Sequence, residues 1–117
     1  MPNIPINVSN IIDEFVKGTN EILGDRVKRI ILYGSYARGD YNKNSDIDIM
    51  ILTDLNNDEI EEYRQKIYDL AYDIEDANDF DIWLSPLIKN IDRFNYWLEA
   101  LPFYMNVQRE GVILSES

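Results

Sequence analysis

The chain has 117 residues, 45% of them hydrophobic, which suits one domain with a real core and argues against a disordered chain. Acids outnumber bases 22 to 11, and the resulting net charge of −11 repels a phosphate backbone, so general nucleic-acid binding is disfavoured. Cysteine and histidine are both absent, which excludes disulfides, thiol and Ser-His catalysis and the usual zinc sites. Any chemistry must rest on carboxylates, hydroxyls, Lys or Arg, and carboxylates suit Mg²⁺, Mn²⁺ or Ca²⁺.

No apolar run approaches the ~20 residues that cross a bilayer. The opening Met1-Pro2-Asn3-Ile4-Pro5 has neither a basic region nor an apolar one, so the expectation is a cytoplasmic protein without a membrane partner. The charge is uneven. Residues 17–43 carry six bases against three acids, +3, while residues 54–81 carry eleven acids against Arg64 and Lys66, −9.

Ser9 is the expected N-cap of a first helix with core positions Ile11, Ile12, Phe15, Ile22 and Leu23, stopped by Gly24. Val27 to Tyr33 reads as a strand covered on both faces, because Ile30-Ile31-Leu32 is a continuous apolar run. A polar segment runs from Gly34 to Ser45. Asp46 to Thr53 is a second strand: Ile47, Ile49 and Ile51 share one face, and the other starts with Asp46 and Asp48 before turning apolar at Met50 and Leu52.

Ile60, Tyr63, Ile67, Leu70, Ala71 and Ile74 form one helical stripe, with Asp58 and Glu59 suiting its first turn. Phe80 to Ser85 reads as a third strand stopped by Pro86. Helices follow from about Asn90 to Ala100 and from Pro102 to Gly111, and Val112-Ile113-Leu114 adds an edge strand. The aromatic cluster Phe94, Tyr96, Trp97, Phe103 and Tyr104 is expected in the core. Strand two, helix and strand three make a β-α-β crossover, so the fold class is α/β (α+β), with helices on a small mixed sheet.

If strands one and two are adjacent and antiparallel, the Gly34-Ser35 turn meets Asp46 and Asp48, and strand three brings Asp81 to the same edge. Three carboxylates so placed call for a cation, and two Mg²⁺ ions bridged by paired aspartates serve nucleotidyl transfer. Gly34 lets the backbone approach a phosphate, the Ser35 hydroxyl can donate to it, and Arg38 and Lys43 can neutralise further triphosphate charge. Asp79 shares the parity of Asp81, which is preferred because Phe80 and Ile82-Trp83 embed it in the expected strand.

Gly34-Ser35, ten residues, then Asp46-Ile47-Asp48 resembles the signature of the DNA polymerase β-like nucleotidyltransferase superfamily. From about residue 8 to residue 114 the chain is similar to its minimal nucleotidyltransferase (MNT) domain, a palm-like core. The resemblance implies that Gly34 and Ser35 hold the terminal phosphates and that Asp46, Asp48 and Asp81 hold two Mg²⁺ ions, with Mn²⁺ as a substitute. It implies that Asp81 also accepts the proton of the attacking hydroxyl. It further implies an antitoxin that moves AMP from ATP to a tyrosine of a HEPN-domain RNase encoded next door. A non-catalytic antitoxin that binds through its acidic 54–81 segment, and a small-molecule (antibiotic) transferase, are the alternatives. The short chain argues against the last, and a homo-oligomer stays open.

Overall fold

The computed structural model describes residues 3–117; Met1 and Pro2, which open the segment expected to lack a targeting leader, lie outside it. Its elements in order are α1 (Ile6–Leu23), β1 (Val27–Tyr33), α2 (Ser35–Arg38), β2 (Ile47–Thr53), α3 (Asn57–Ala77), β3 (Leu84–Asn90), α4 (Ile91–Trp97), α5 (Pro102–Glu110) and β4 (Val112–Glu116). Among the described residues four strands form one sheet in the order β3-β2-β1-β4. β1 runs antiparallel to β2 and β4, and β2 runs parallel to β3 across the α3 crossover, so the mixed α/β class holds.

Strand alternation sorts the core into two layers. Ile30 and Leu32 of β1 and Ile47, Ile49 and Ile51 of β2 face α1 and α3, which supply Ile12, Phe15, Ile67 and Ile74. Ile31, Met50 and Leu52 face the other way, under Phe94 of α4 and Val107 of α5. Asp48 and Tyr33 therefore belong to the α4–α5 face, at the end of the sheet where the apolar cover stops. No helix among the described residues is long and apolar enough to cross a membrane.

Several elements differ from expectation, among them β2, which starts at Ile47 rather than Asp46, and β4, which runs to Glu116 rather than Leu114. The first helix starts at Ile6 with Pro5, not Ser9, as N-cap; Pro5 has the extended ψ of 146° a cap needs, and Ser9 N–H already donates to its carbonyl. The polar connection contains α2. The fourth helix is shorter than expected, ending at Trp97, with the Asn90 side chain capping it by accepting from Arg93 N–H.

The third strand is the largest correction. It spans Leu84–Asn90 rather than Phe80–Ser85, and Pro86 sits within it. β3 is the edge of the sheet, where a residue lacking an N–H can be placed without losing a ladder bond. The preceding residues turn instead: Asp79 and Phe80 have φ of 58° and 55°, and Phe80 N–H returns to the Glu75 carbonyl at 2.8 Å. The buried Glu75 carboxylate then accepts the Leu84 N–H at 2.9 Å, fixing where the strand begins. The aromatic cluster is only partly core. Phe94 is buried, but Tyr96, Trp97 and Phe103 are exposed at 76%, 45% and 46%.

Candidate active site

β1 ends at Tyr33, the cross-strand partner of Asp48, and Gly34 follows with φ 77° and ψ −156°. That φ is unfavourable for any residue with a side chain, and a Cβ on Gly34 would overlap the Asp48 carboxylate. Glycine is thus required twice over. The Gly34 carbonyl accepts the N–H groups of both Ala37 and Arg38, winding α2 tightly behind the turn.

Tyr36 is buried and stacks on Tyr41 with ring centroids 4.6 Å apart, which ties α2 to the loop leading into β2. That loop is held by its own polar side chains: Asn42 Oδ1 accepts from Asn44 N–H, and Ser45 Oγ accepts from Asn42 N–H. It delivers an exposed Asp46 and, two residues on, a half-buried Asp48.

A cavity of about 410 Å³ opens here. The β1–α2 corner and β2 line it with Tyr33, Gly34, Ser35, Arg38 and Asp48. Opposite stand Phe103, Asn106, Val107 and Glu110 of α5, with Phe103 edge-on to Tyr33 at 5.7 Å. Asp46, Lys43 and Asp81 are not among the lining residues.

Burial pushes the Asp48 carboxyl above its ordinary value, repulsion from Asp46 adds to this, and Arg38 partly offsets it. Burial, and then the charge of Asp48, push the Tyr33 phenol up to about 12. Both shifts arise first from burial and second from neighbouring negative charge. Arg38 is already engaged, with its Nε 3.2 Å from Asp40 and its Nη1 3.3 Å from Glu110 across the cavity.

Gly34, Ser35, Arg38 and Asp48 come together as the spacing predicted, with Asp46 close enough to raise Asp48. Asp81 does not join them: it is exposed, in the bend before β3, and no three carboxylates among the described residues gather as a metal-holding group. The register explains this, because β3 starts late and sets Ser85 rather than Asp81 beside Asp48. The α5 wall carries no signal in the sequence: Phe103 reads as a core residue, and nothing in the spacing links Glu110 to a residue 72 positions earlier.

The donor set suits a divalent ion. Mg²⁺ commonly takes one or two carboxylates and completes its shell with water and substrate phosphate. Asp46 and Asp48 form such a pair, and a cation would relieve the charge that burial and repulsion disfavour on Asp48.

A glycine-led turn is thus held against Asp48 in β2, with Asp46 just before the strand, and opens on the cavity. Residues 12–109 match the profile of the family described as nucleotidyltransferase domain. Two relatives in Methanocaldococcus jannaschii are named as proposed protein adenylyltransferases. One is 34% identical over 109 residues, covering 93% of this chain and 99% of its own length. The other is 41% identical over 85 residues, covering 71% and 80%.

The fold recurs in a proposed nucleotidyltransferase from Sulfolobus solfataricus, with TM-score 0.50, 15% identity and coverage of 99% of this chain and 92% of that one. It recurs too in a toxin-antitoxin crystal structure with AMP-PNP, with TM-score 0.50, 23% identity and coverage of 86% and 73%. The chain belongs to the nucleotidyltransferase-domain family, as an enzyme of the nucleotidyltransferase type.

Proposed function

We propose that this protein transfers AMP from ATP to a tyrosine hydroxyl of a HEPN-domain RNase, and so acts as a cytoplasmic antitoxin. The observation that carries the reading is the contact between Gly34 and Asp48: a turn shaped for a phosphate is locked against a carboxylate whose charge is disfavoured without a cation. Two relatives named for protein adenylylation, and the recurrence of the fold in a toxin-antitoxin structure with AMP-PNP, support an adenine nucleotide as donor and a protein as acceptor.

Asp46 and Asp48 are the residues that would hold Mg²⁺, as two ions or with Mn²⁺ in their place. Bound there, the metal would neutralise charge on the triphosphate and favour ionisation of the attacking hydroxyl. The acceptor oxygen bonds to the α-phosphorus, the bond to the β-phosphate oxygen breaks, and pyrophosphate leaves.

Gly34 and Ser35 receive the terminal phosphates, the Ser35 hydroxyl donating to an oxygen. Arg38 exchanges Glu110 for phosphate when the nucleotide enters, and Lys43 adds charge from the loop. Asp81, two residues before the Trp83 carbonyl that accepts Ile47 N–H, is the residue that would complete the metal's ligands and accept the proton of the attacking hydroxyl. Phe103 belongs to an exposed apolar stretch with Tyr96, Trp97, Leu101 and Met105, a rim suited to holding a protein acceptor beside the cavity.

The test is transfer of label from α-³²P-ATP to the HEPN protein encoded beside this chain, in Mg²⁺. Label on a partner tyrosine that disappears in Asp46→Asn is expected, and equal labelling by wild type and variant would reject catalysis. An Asp46→Asn/Asp48→Asn variant that still fully neutralises the toxin would favour neutralisation by binding alone.

A further inference from the structure

We infer that the opposite end of the sheet carries a second, separate pocket, which binds a small oxyanion of the phosphate type. Arg64 of α3, Lys89 at the end of β3 and Arg93 in the first turn of α4 converge on a cavity of about 160 Å³. Ile60, Ile88 and Tyr104 give it an apolar lining, and it shares no lining residue with the Gly34–Asp48 cavity. The strand register places Asp48 beside Ser85 and Thr53 beside Asn90, so the two sites lie five residues apart along the strands, about 16 Å.

The charge at this spot opposes that of the whole chain. Three of its 11 bases meet here, against Glu61 as the lining acid, in a protein of net charge −11. Arg64 is paired with Glu61. Lys89 and Arg93 have no carboxylate partner among the described residues. Glu59, in the first turn of α3, is engaged elsewhere, by Arg26 Nη1 at 3.0 Å, Nη2 at 3.2 Å and the Asn56 N–H at 3.1 Å.

Two unpaired cations therefore face one hollow, and Asn57 adds an amide at its rim. The volume is well below the roughly 300–1,000 Å³ of pockets that enclose whole drug-sized ligands, and suits one phosphate with its water. A phosphate there would gain charge-assisted bonds from both cations, with the guanidinium of Arg93 able to bind two oxygens.

The test is titration of the ¹⁵N-labelled full chain, without Mg²⁺ and at constant ionic strength, with orthophosphate in one series and 5′-AMP in another. Saturable amide shifts centred on Asn57, Lys89, Asn90 and Arg93 are expected, weakened about tenfold or more in Lys89→Gln/Arg93→Gln. Equal affinities in the two series would identify the phosphate dianion as the group recognised. Tighter binding of AMP would show the pocket to be a phosphomonoester site that also reads the nucleoside. Shifts that do not saturate, that centre on Gly34–Arg38, or that persist unchanged in the double variant would overturn the inference.

Discussion

At the scale of single residues, Gly34 and Asp48 act as one unit. Gly34→Ala forces a side chain into a backbone region that essentially only glycine adopts and onto a carboxylate, so a loss of about 1–3 kcal/mol is expected from the backbone alone. Chemical denaturation should show it, together with loss of transfer activity. Asp48 works in the other direction. Its carboxyl is raised above the ordinary value, so in the metal-free protein its cost is absent well below that value and is fully felt once pH exceeds the raised one. Asp48→Asn removes the cost and should stabilise the metal-free protein at neutral pH, by up to about 1 kcal/mol for a half-exposed group, while ending transfer. A lower thermal midpoint for the variant would contradict this.

At the scale of elements, β3 shows what the sequence could and could not convey. The β1 and β2 strands and the α3 stripe were legible because alternation and helical periodicity are local, and the Gly34-Ser35 to Asp48 site lies between two of them. The local pattern puts β3 too early because Pro86 reads as a stop unless the strand is an edge, which is a property of the whole sheet. The same pattern puts Asp81 inside a strand, where the structure has a turn set by two positive-φ residues and a returning hydrogen bond. Glu75 counts in the sequence only as one of the eleven acids of residues 54–81, yet it is buried and accepts the Leu84 N–H. Glu75→Ala should cost about 1–3 kcal/mol by leaving that donor unpaired, and Glu75→Gln, which keeps an acceptor, should cost clearly less. Hydrogen exchange at Leu84 would report the difference directly.

At the scale of the molecule, the cation Arg26 links the start of β1 to the start of α3. It bonds Asp54 at 2.6 Å and Glu59 at 3.0 Å, and Glu59 simultaneously completes the capping box with Asn56. Its guanidinium holds both carboxyls below their ordinary values of 3.8 and 4.5. A depressed carboxyl contributes stability that is present above its unfolded value and lost as pH falls through the folded one. Acid unfolding should therefore begin at higher pH in Arg26→Met than in wild type, and coincident acid curves would show the cluster to be energetically silent.

The pairing of Tyr33 with Asp48 has a consequence for the order of assembly. The two residues are 15 positions apart (48 − 33), whereas the β1–β4 pair joins Arg29 to Glu116, 87 positions apart. Closing the longer loop costs more chain entropy, so the β1–β2 hairpin should form early and β4 should dock late. Core truncations in the hairpin, such as Ile49→Val, should mainly slow folding, and truncation of Leu114, the β4 residue packed on the core, should mainly speed unfolding. The pair of aspartates would then be in place before the sheet is complete, and the α5 wall of the cavity would be added last.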